Sequence, residues 1–374
     1  MKLLNYACWA IFSIGSASAG TLQCDDVAVK VSATASRKAI PADLNLTDAA
    51  SDASSFPSLL NGLPEVLSSG TFTIRATLQI LVHGITFTRH YWTGSDGDGN
   101  LIGSEYSWQE YAAAQGYATF AVDRLCNGKS SKPDGALFCQ LPFQAEVLNQ
   151  VIEQARAGAL GGVKYSKVIY AGHSLGSLVG NVLGQRHPEA VDAYMLTGYT
   201  PFLNKTVVGV VLAGPFIPAI LADPLHFVSY ALDPTYLGAA SSSGTEGIFY
   251  DGEYDKAVAE QQFDTRGTSN LGEALTALDG SQEAPGVKVP VMALNGQQDQ
   301  IFCGANSLDL VAGGHKGNCG TGDSSITAKS GNAFPNAQPF EWHNVAETGH
   351  NNNFHRTAQL TFKAAHDFFA RHGF

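Results

Sequence analysis

Short apolar runs separated by longer amphipathic stretches set the rhythm of this chain. Thr77 to Val82, Tyr117 to Val122, Val168 to Ala171, Val191 to Leu196, Val289 to Leu294 and Phe340 to Val345 are rich in branched and aromatic residues. Runs this short and this apolar predict buried strands. Helical patterns lie between them. Ser107 to Gln115 has a plausible N-cap in Ser107 and Gly116 after its end. Pro142 to Arg156 carries Val147, Val151 and Ile152 on one face, and Leu175 to Arg186 stops before Pro188. Thr357 to Arg371 carries Leu360, Phe362, Ala365, Phe368 and Phe369. Strands alternating with helices predict an α/β fold, a mostly parallel sheet with helices on both faces. In such sheets ligands bind at the carboxyl ends of the strands.

One stretch, about 197–285, breaks the alternation. It shows no clear strand, has prolines at 215, 218, 224 and 234, and holds a Ser/Gly patch from Ala239 to Gly247. Its aliphatic and aromatic content argues against a disordered loop. It reads as a helical cap inserted between two core strands. Phe202, Val207–Leu212, Phe216–Leu221, Phe227 and Tyr230 would give it an apolar or aromatic pocket, although most of these side chains are expected only to pack the cap on the core.

The first nineteen residues read differently from the rest. A single lysine, a short apolar core from Ala7 to Ile14 and the small-residue site Ala17-Ser18-Ala19 make a secretory signal peptide, leaving a mature chain of 20–374. The apolar stretch is too short for an anchor, and the later run Val207–Ala222 contains two prolines. A secreted, extracellular protein with no membrane anchor is expected. Only 15% of residues are charged and 44% are hydrophobic, which favours a large core. The net charge of -11 and the absence of a basic run exclude nucleic acid as an expected partner. In an oxidising compartment the cysteines suggest two local bridges, Cys126–Cys139 and Cys303–Cys319, with Cys24 left over. Asn45 and Asn204 open glycosylation sequons. No Cys/His spacing resembles a metal site, and no cofactor motif is present.

The chemistry gathers around Gly172-His173-Ser174-Leu175-Gly176, which follows one predicted strand and opens a predicted helix. Gly-x-Ser-x-Gly on a sharp strand-to-helix turn exposes a serine hydroxyl as a nucleophile. A serine needs a base within hydrogen-bond reach. His350, after the last strand and before the last helix, is that base by position. Asp299, just past the strand Val289–Leu294, is the acid that would orient it, and the order Ser174, Asp299, His350 is the one this architecture requires. Asp309 and Asp255 read as solvated charges, with Asp255 the alternative acid. The oxyanion donors would be the amides of Leu175, directly after the nucleophile, and Ile85, in the loop His83-Gly84-Ile85. His83 reads as a loop-shaping residue bonded to backbone.

On these residues the chain resembles the serine α/β-hydrolases, and closely their secreted fungal members. The resemblance covers Thr77 to the C-terminus, rests on His83-Gly84, Gly172–Gly176, Asp299 and Gly349-His350, and extends to Asp123-Arg124, which that family uses structurally. It implies an esterase- or lipase-like carboxylic ester hydrolase working through an acyl-enzyme on a small-molecule ester. Two other readings stay open: a tailoring enzyme of secondary metabolism acting on a lactone, thioester or C–C bond, and a non-catalytic binding module on the same fold.

Overall fold

The computed structural model describes residues 27–39, 64–78, 80–95, 102–160, 164–203, 216–230, 233–304 and 317–374. The leader at 1–19, Cys24, both sequon asparagines, Val207–Leu212 and Asp309 lie outside the described residues.

An eight-stranded sheet organises the chain. Across the sheet its strands are β1 (Val27–Lys38), β2 (Glu65–Leu78), β4 (Phe120–Val122), β3 (Leu81–Val82), β5 (Ile169–His173), β6 (Ala193–Thr197), β10 (Val291–Gly296) and β11 (Phe340–Val345). From β4 to β11 every neighbouring pair is parallel. Every residue of β4, β6 and β10 is buried. Successive strand residues point to opposite faces, so both faces of the sheet are covered at these strands. The edge strand β11, expected to be buried, buries only Val345, because it has a neighbour on one side alone. Helices Leu141–Ala157 and Leu175–Arg186 pack on each other, and Trp108–Ala114 packs on Ala358–Arg371. Ser107 caps its helix by accepting from the Glu110 amide at 3.2 Å.

Two departures from the sequence reading follow from local pairing. The run Thr77–Val82 is not one strand. Leu78 ends β2, which pairs antiparallel with β4, and β3 begins at Leu81 and runs parallel to the same strand. β2 and β3 therefore run in opposite directions within what the sequence presents as one run. Upstream, β2 pairs with β1 in a long antiparallel ribbon, from Val27↔Ala76 to Lys38↔Glu65, at the sheet edge.

The inserted segment is also not purely helical. Three short strands, β7 (Phe216–Pro218), β8 (Tyr236–Ala239) and β9 (Ser269–Asn270), form a separate antiparallel sheet beside helices Ser242–Phe249 and Lys256–Asp264. Strands of two to four residues carry too little alternation to stand out in sequence. The Ser/Gly patch opens the helix Ser242–Phe249, with Ser241 accepting from the Gly244 amide. Phe227 and Tyr230 pack on each other with ring centroids 5.5 Å apart, and Tyr230 packs on Tyr236. Those aromatics also join the insertion to the 128–133 loop: the Gly128 amide donates to Tyr230 Oη and Tyr236 Oη donates to Pro133 O, while Phe202 is 48% exposed.

Cysteines 126 and 139, and 303 and 319, form disulfides. Among the described residues no helix is long and apolar enough to cross a membrane.

Candidate active site

Ser174 lies between β5 and helix Leu175–Arg186 with φ 53° and ψ −119°. A side chain at positive φ in this extended region is strained, and such strain persists only where the surroundings enforce it. The enforcing contacts are specific. The Ser174 amide donates to Thr197 O at 2.9 Å, and Ser177 Oγ donates to the same oxygen at 2.8 Å. A Cβ on Gly176 would lie 2.1 Å from Val82 O, and one on Gly172 would lie 2.7 Å from the Gly176 backbone. Both glycines are therefore required by close approach, because the helix start packs directly on the end of β3.

Asp299 and His350 meet across two loops. His350 Nδ1 is 2.8 Å from Asp299 Oδ2, and both side chains are completely buried. Asp299 Oδ1 accepts from the amides of Ile301 and Phe302 at 2.9 and 3.0 Å. With the carboxylate saturated this way, the imidazole donates from Nδ1 and keeps its lone pair on Nε2. His350 Nε2 is buried with no hydrogen-bond partner, and the structure contains no Ser174–His350 hydrogen bond. Such bonds are often long before substrate binds.

The loop after β3 reaches Ser174. A Cβ on Gly84 would lie 3.0 Å from Ser174 Cβ. Ile85 follows, and its amide and that of Leu175 donate to no described group. His83 shapes this loop. Its Nε2 accepts from the Arg124 amide at 3.1 Å, so Nδ1, 2.8 Å from Gly84 O, is the donor. Burial, then Arg124, holds the His83 imidazole well below its usual basicity. Behind it Arg124, itself buried, donates to Gly84 O, Gln144 and Glu273. Asp123 binds Arg89. Asp255 is elsewhere: it bonds the exposed Arg356 at 2.6 Å and the Tyr106 hydroxyl at 2.9 Å, away from His350.

Several residues around the site carry no sequence signal of their own. Phe249 and Phe302 have ring centroids 5.8 and 5.7 Å from that of His350. Tyr91 stacks on His173 at 4.3 Å and 12°, and His173 is 4.9 Å from His350. His173 stood in plain view in the pentad, but its neighbours come from three distant segments. The aromatic surroundings of the site thus come from Phe87, Tyr91, Phe249 and Phe302, not from Phe227 and Tyr230. A cavity of about 240 Å³ lies at the opposite end of the strands, lined by Leu81, Trp108, Tyr117, Phe120, Tyr165 and Phe369. It is remote from Ser174 and has no part in this site. Among the described residues no group of three or more His, Cys, Asp or Glu side chains is placed to hold a metal ion.

Comparison with known proteins agrees with the fold. No curated protein matches the sequence. Among solved structures, a bromoperoxidase from Bacillus anthracis superposes with a TM-score of 0.52 at 16% identity, covering 83% of this chain and 98% of the other. An E-2-(acetamidomethylene)succinate hydrolase gives 0.50, also at 16% identity, covering 80% of this chain and 96% of the other. At that identity both speak to the fold alone. The sequence profile of the alpha/beta hydrolase family matches residues 79–362. With the sheet order, the strand-to-helix turn at Ser174 and this match together, the chain belongs to the alpha/beta hydrolase family.

Proposed function

We propose that this protein is a secreted serine hydrolase that cleaves carboxylic esters of small molecules through an acyl-enzyme. Ser174 Oγ attacks the ester carbonyl while His350 Nε2 takes its proton. Asp299 fixes the imidazole tautomer and stabilises its charged form. The amides of Ile85 and Leu175 bind the developing oxyanion. His350 returns its proton to the leaving alcohol, then activates water to release the acid. The observation that carries this reading is the buried His350, held by Asp299 through Nδ1 with Nε2 left without a partner, at the same carboxyl end of the strands as a serine in a strained turn. The aromatic rings around the pair favour an apolar or aromatic ester. Two disulfides suit an oxidising compartment, in keeping with residues 1–19 acting as an export signal. Residues about 197–285 would form the cap.

Labelling with a fluorophosphonate tests the assignment. The native protein is expected to be modified at Ser174 and to hydrolyse p-nitrophenyl esters. Ser174→Ala is expected to lose both, with kcat lower by about 10⁶-fold. Labelling that survives in Ser174→Ala overturns it.

A further inference from the structure

The imidazole immediately before the nucleophile has a defined tautomer and an unused acceptor. His173 is fully buried. Its Nδ1 is 3.0 Å from Thr197 Oγ1, which in turn is 3.0 Å from Gly172 O. A carbonyl only accepts, so the Thr197 hydroxyl donates to Gly172 and accepts from His173. Nδ1 therefore bears the hydrogen and Nε2 the lone pair. That Nε2 has no partner, although buried polar atoms are nearly always bonded.

Where this nitrogen lies follows from the two glycines flanking the ring. A Cβ on Gly84 would be 3.2 Å from His173 Cδ2, and one on Gly198 would be 3.0 Å from His173 Cε1. Nε2 is bonded to both of those ring carbons, and Nδ1 is the other ring atom near Gly198, at 3.2 Å. The same Gly198 position is 2.9 Å from His350 Cε1, and the same Gly84 position is 3.0 Å from Ser174 Cβ. Ser174, His350 and the His173 ring thus border two residues that have no side chains. Burial and the nearby His350 oppose protonation of His173, so it remains an acceptor.

We propose that His173 Nε2 is a second acceptor for the water that hydrolyses the acyl-enzyme. The inference rests on the serine-hydrolase reading above. In the deacylation step the water oxygen bonds to the acyl carbon as one of its hydrogens passes to His350 Nε2. The other hydrogen remains on that oxygen and is held by His173 Nε2. The tetrahedral intermediate collapses, the bond to Ser174 Oγ breaks, and the His350 proton goes to Oγ. The acid leaves with the second hydrogen. Ser174 is only 6% exposed, so water at the site depends on protein acceptors to be oriented. An alcohol nucleophile has one hydroxyl hydrogen, gives it to His350, and has none for His173.

The test is His173→Asn, whose amide can still donate to Thr197 but lacks the Nε2 acceptor, assayed with p-nitrophenyl acetate with and without methanol. We expect kcat to fall about tenfold, the equivalent of one lost hydrogen bond. The value of kcat/KM should stay near that of the native enzyme, KM should fall with kcat, and acetyl-Ser174 should accumulate by intact mass. The ratio of methanolysis to hydrolysis should rise about tenfold. His173→Gln, with an acceptor near the Nε2 position, should recover part of kcat. The product ratio is set within the acyl-enzyme and does not depend on how much variant folds. An unchanged ratio overturns the proposal, as does a parallel fall of kcat and kcat/KM without acetyl-enzyme. Native protein that forms no acetyl-enzyme and resists the fluorophosphonate overturns the serine reading itself, a different result.

Discussion

His350 and Asp299 are joined by backbone as well as by side chains. Beneath the 2.8 Å contact between Nδ1 and Oδ2, the Gln298 amide donates to Thr348 O at 2.9 Å and the Gln297 amide to Val345 O at 2.8 Å. The loops after β10 and β11 therefore extend the parallel pairing of their strands and hold Asp299 and His350 in one hydrogen-bonded unit. Under the proposed mechanism this fixes the imidazole before substrate arrives.

Asp299→Asn tests the side-chain half of that link. An amide at 299 can still accept from the Ile301 and Phe302 amides through its oxygen, but it then turns an NH2 toward His350 Nδ1. The imidazole is driven to the wrong tautomer. We expect kcat to drop by about 10⁴-fold with KM little changed and the fold intact by circular dichroism. Near-native turnover would remove Asp299 from the mechanism.

The backbone half depends on Gly296. A Cβ there would lie 2.1 Å from Gly349 O and 2.4 Å from Thr348 O. Gly296→Ala must push the His350 loop outward. A displacement of about 1 Å costs roughly 100-fold in rate. Steady-state kinetics should show that loss in kcat while far-UV dichroism stays unchanged.

Arg124 and Glu273 form a buried pair behind the loop His83-Gly84-Ile85, with side chains 0% and 1% exposed. Arg124→Met leaves the Glu273 carboxylate buried without its cation and should cost about 3–5 kcal/mol in urea denaturation. Arg124→Met combined with Glu273→Gln should recover most of it. The double variant still lacks the donor to Gly84 O, so its kcat should stay below the native value.

His366 makes stability depend on pH. Buried among Trp108, Tyr111 and Phe369, it is pushed down to about 4 from its ordinary 6.5, chiefly by burial. Between these values the unfolded chain binds the proton and the folded one does not, so this contribution is complete above pH 6.5 and is lost as pH falls toward 4. One such group is worth about 3 kcal/mol over that window. His83, His173 and His355 are shifted the same way, so the native protein should lose stability steeply on acidification. Chemical denaturation at several pH values should show a shallower dependence in His366→Gln.

How much of this was legible in the sequence depended on how local each signal is. The buried strands announced themselves as apolar runs, and helix Leu175–Arg186 and strand Phe340–Val345 have the boundaries that the pattern implies. The meeting of Asp299 with His350 followed from their places after successive strands. The β1–β2 ribbon did not announce itself, because Val27–Lys38 is dominated by small and polar residues. The surroundings of His173 were equally hidden. Tyr91, Thr197 and Gly198 reach it only after the sheet has brought three distant segments together.

The strained turn at Ser174 also bears on how such a chain can change over time. At φ 53° and ψ −119° only glycine is at ease, and a serine there holds about 1–3 kcal/mol that glycine would release. A single substitution to glycine would disarm the proposed nucleophile and relax the fold together. Loss of the reaction therefore lies downhill in stability, and a lineage relieved of the need for turnover would drift toward glycine at this position. Under the proposed mechanism, that strain is tolerated for what the serine hydroxyl does.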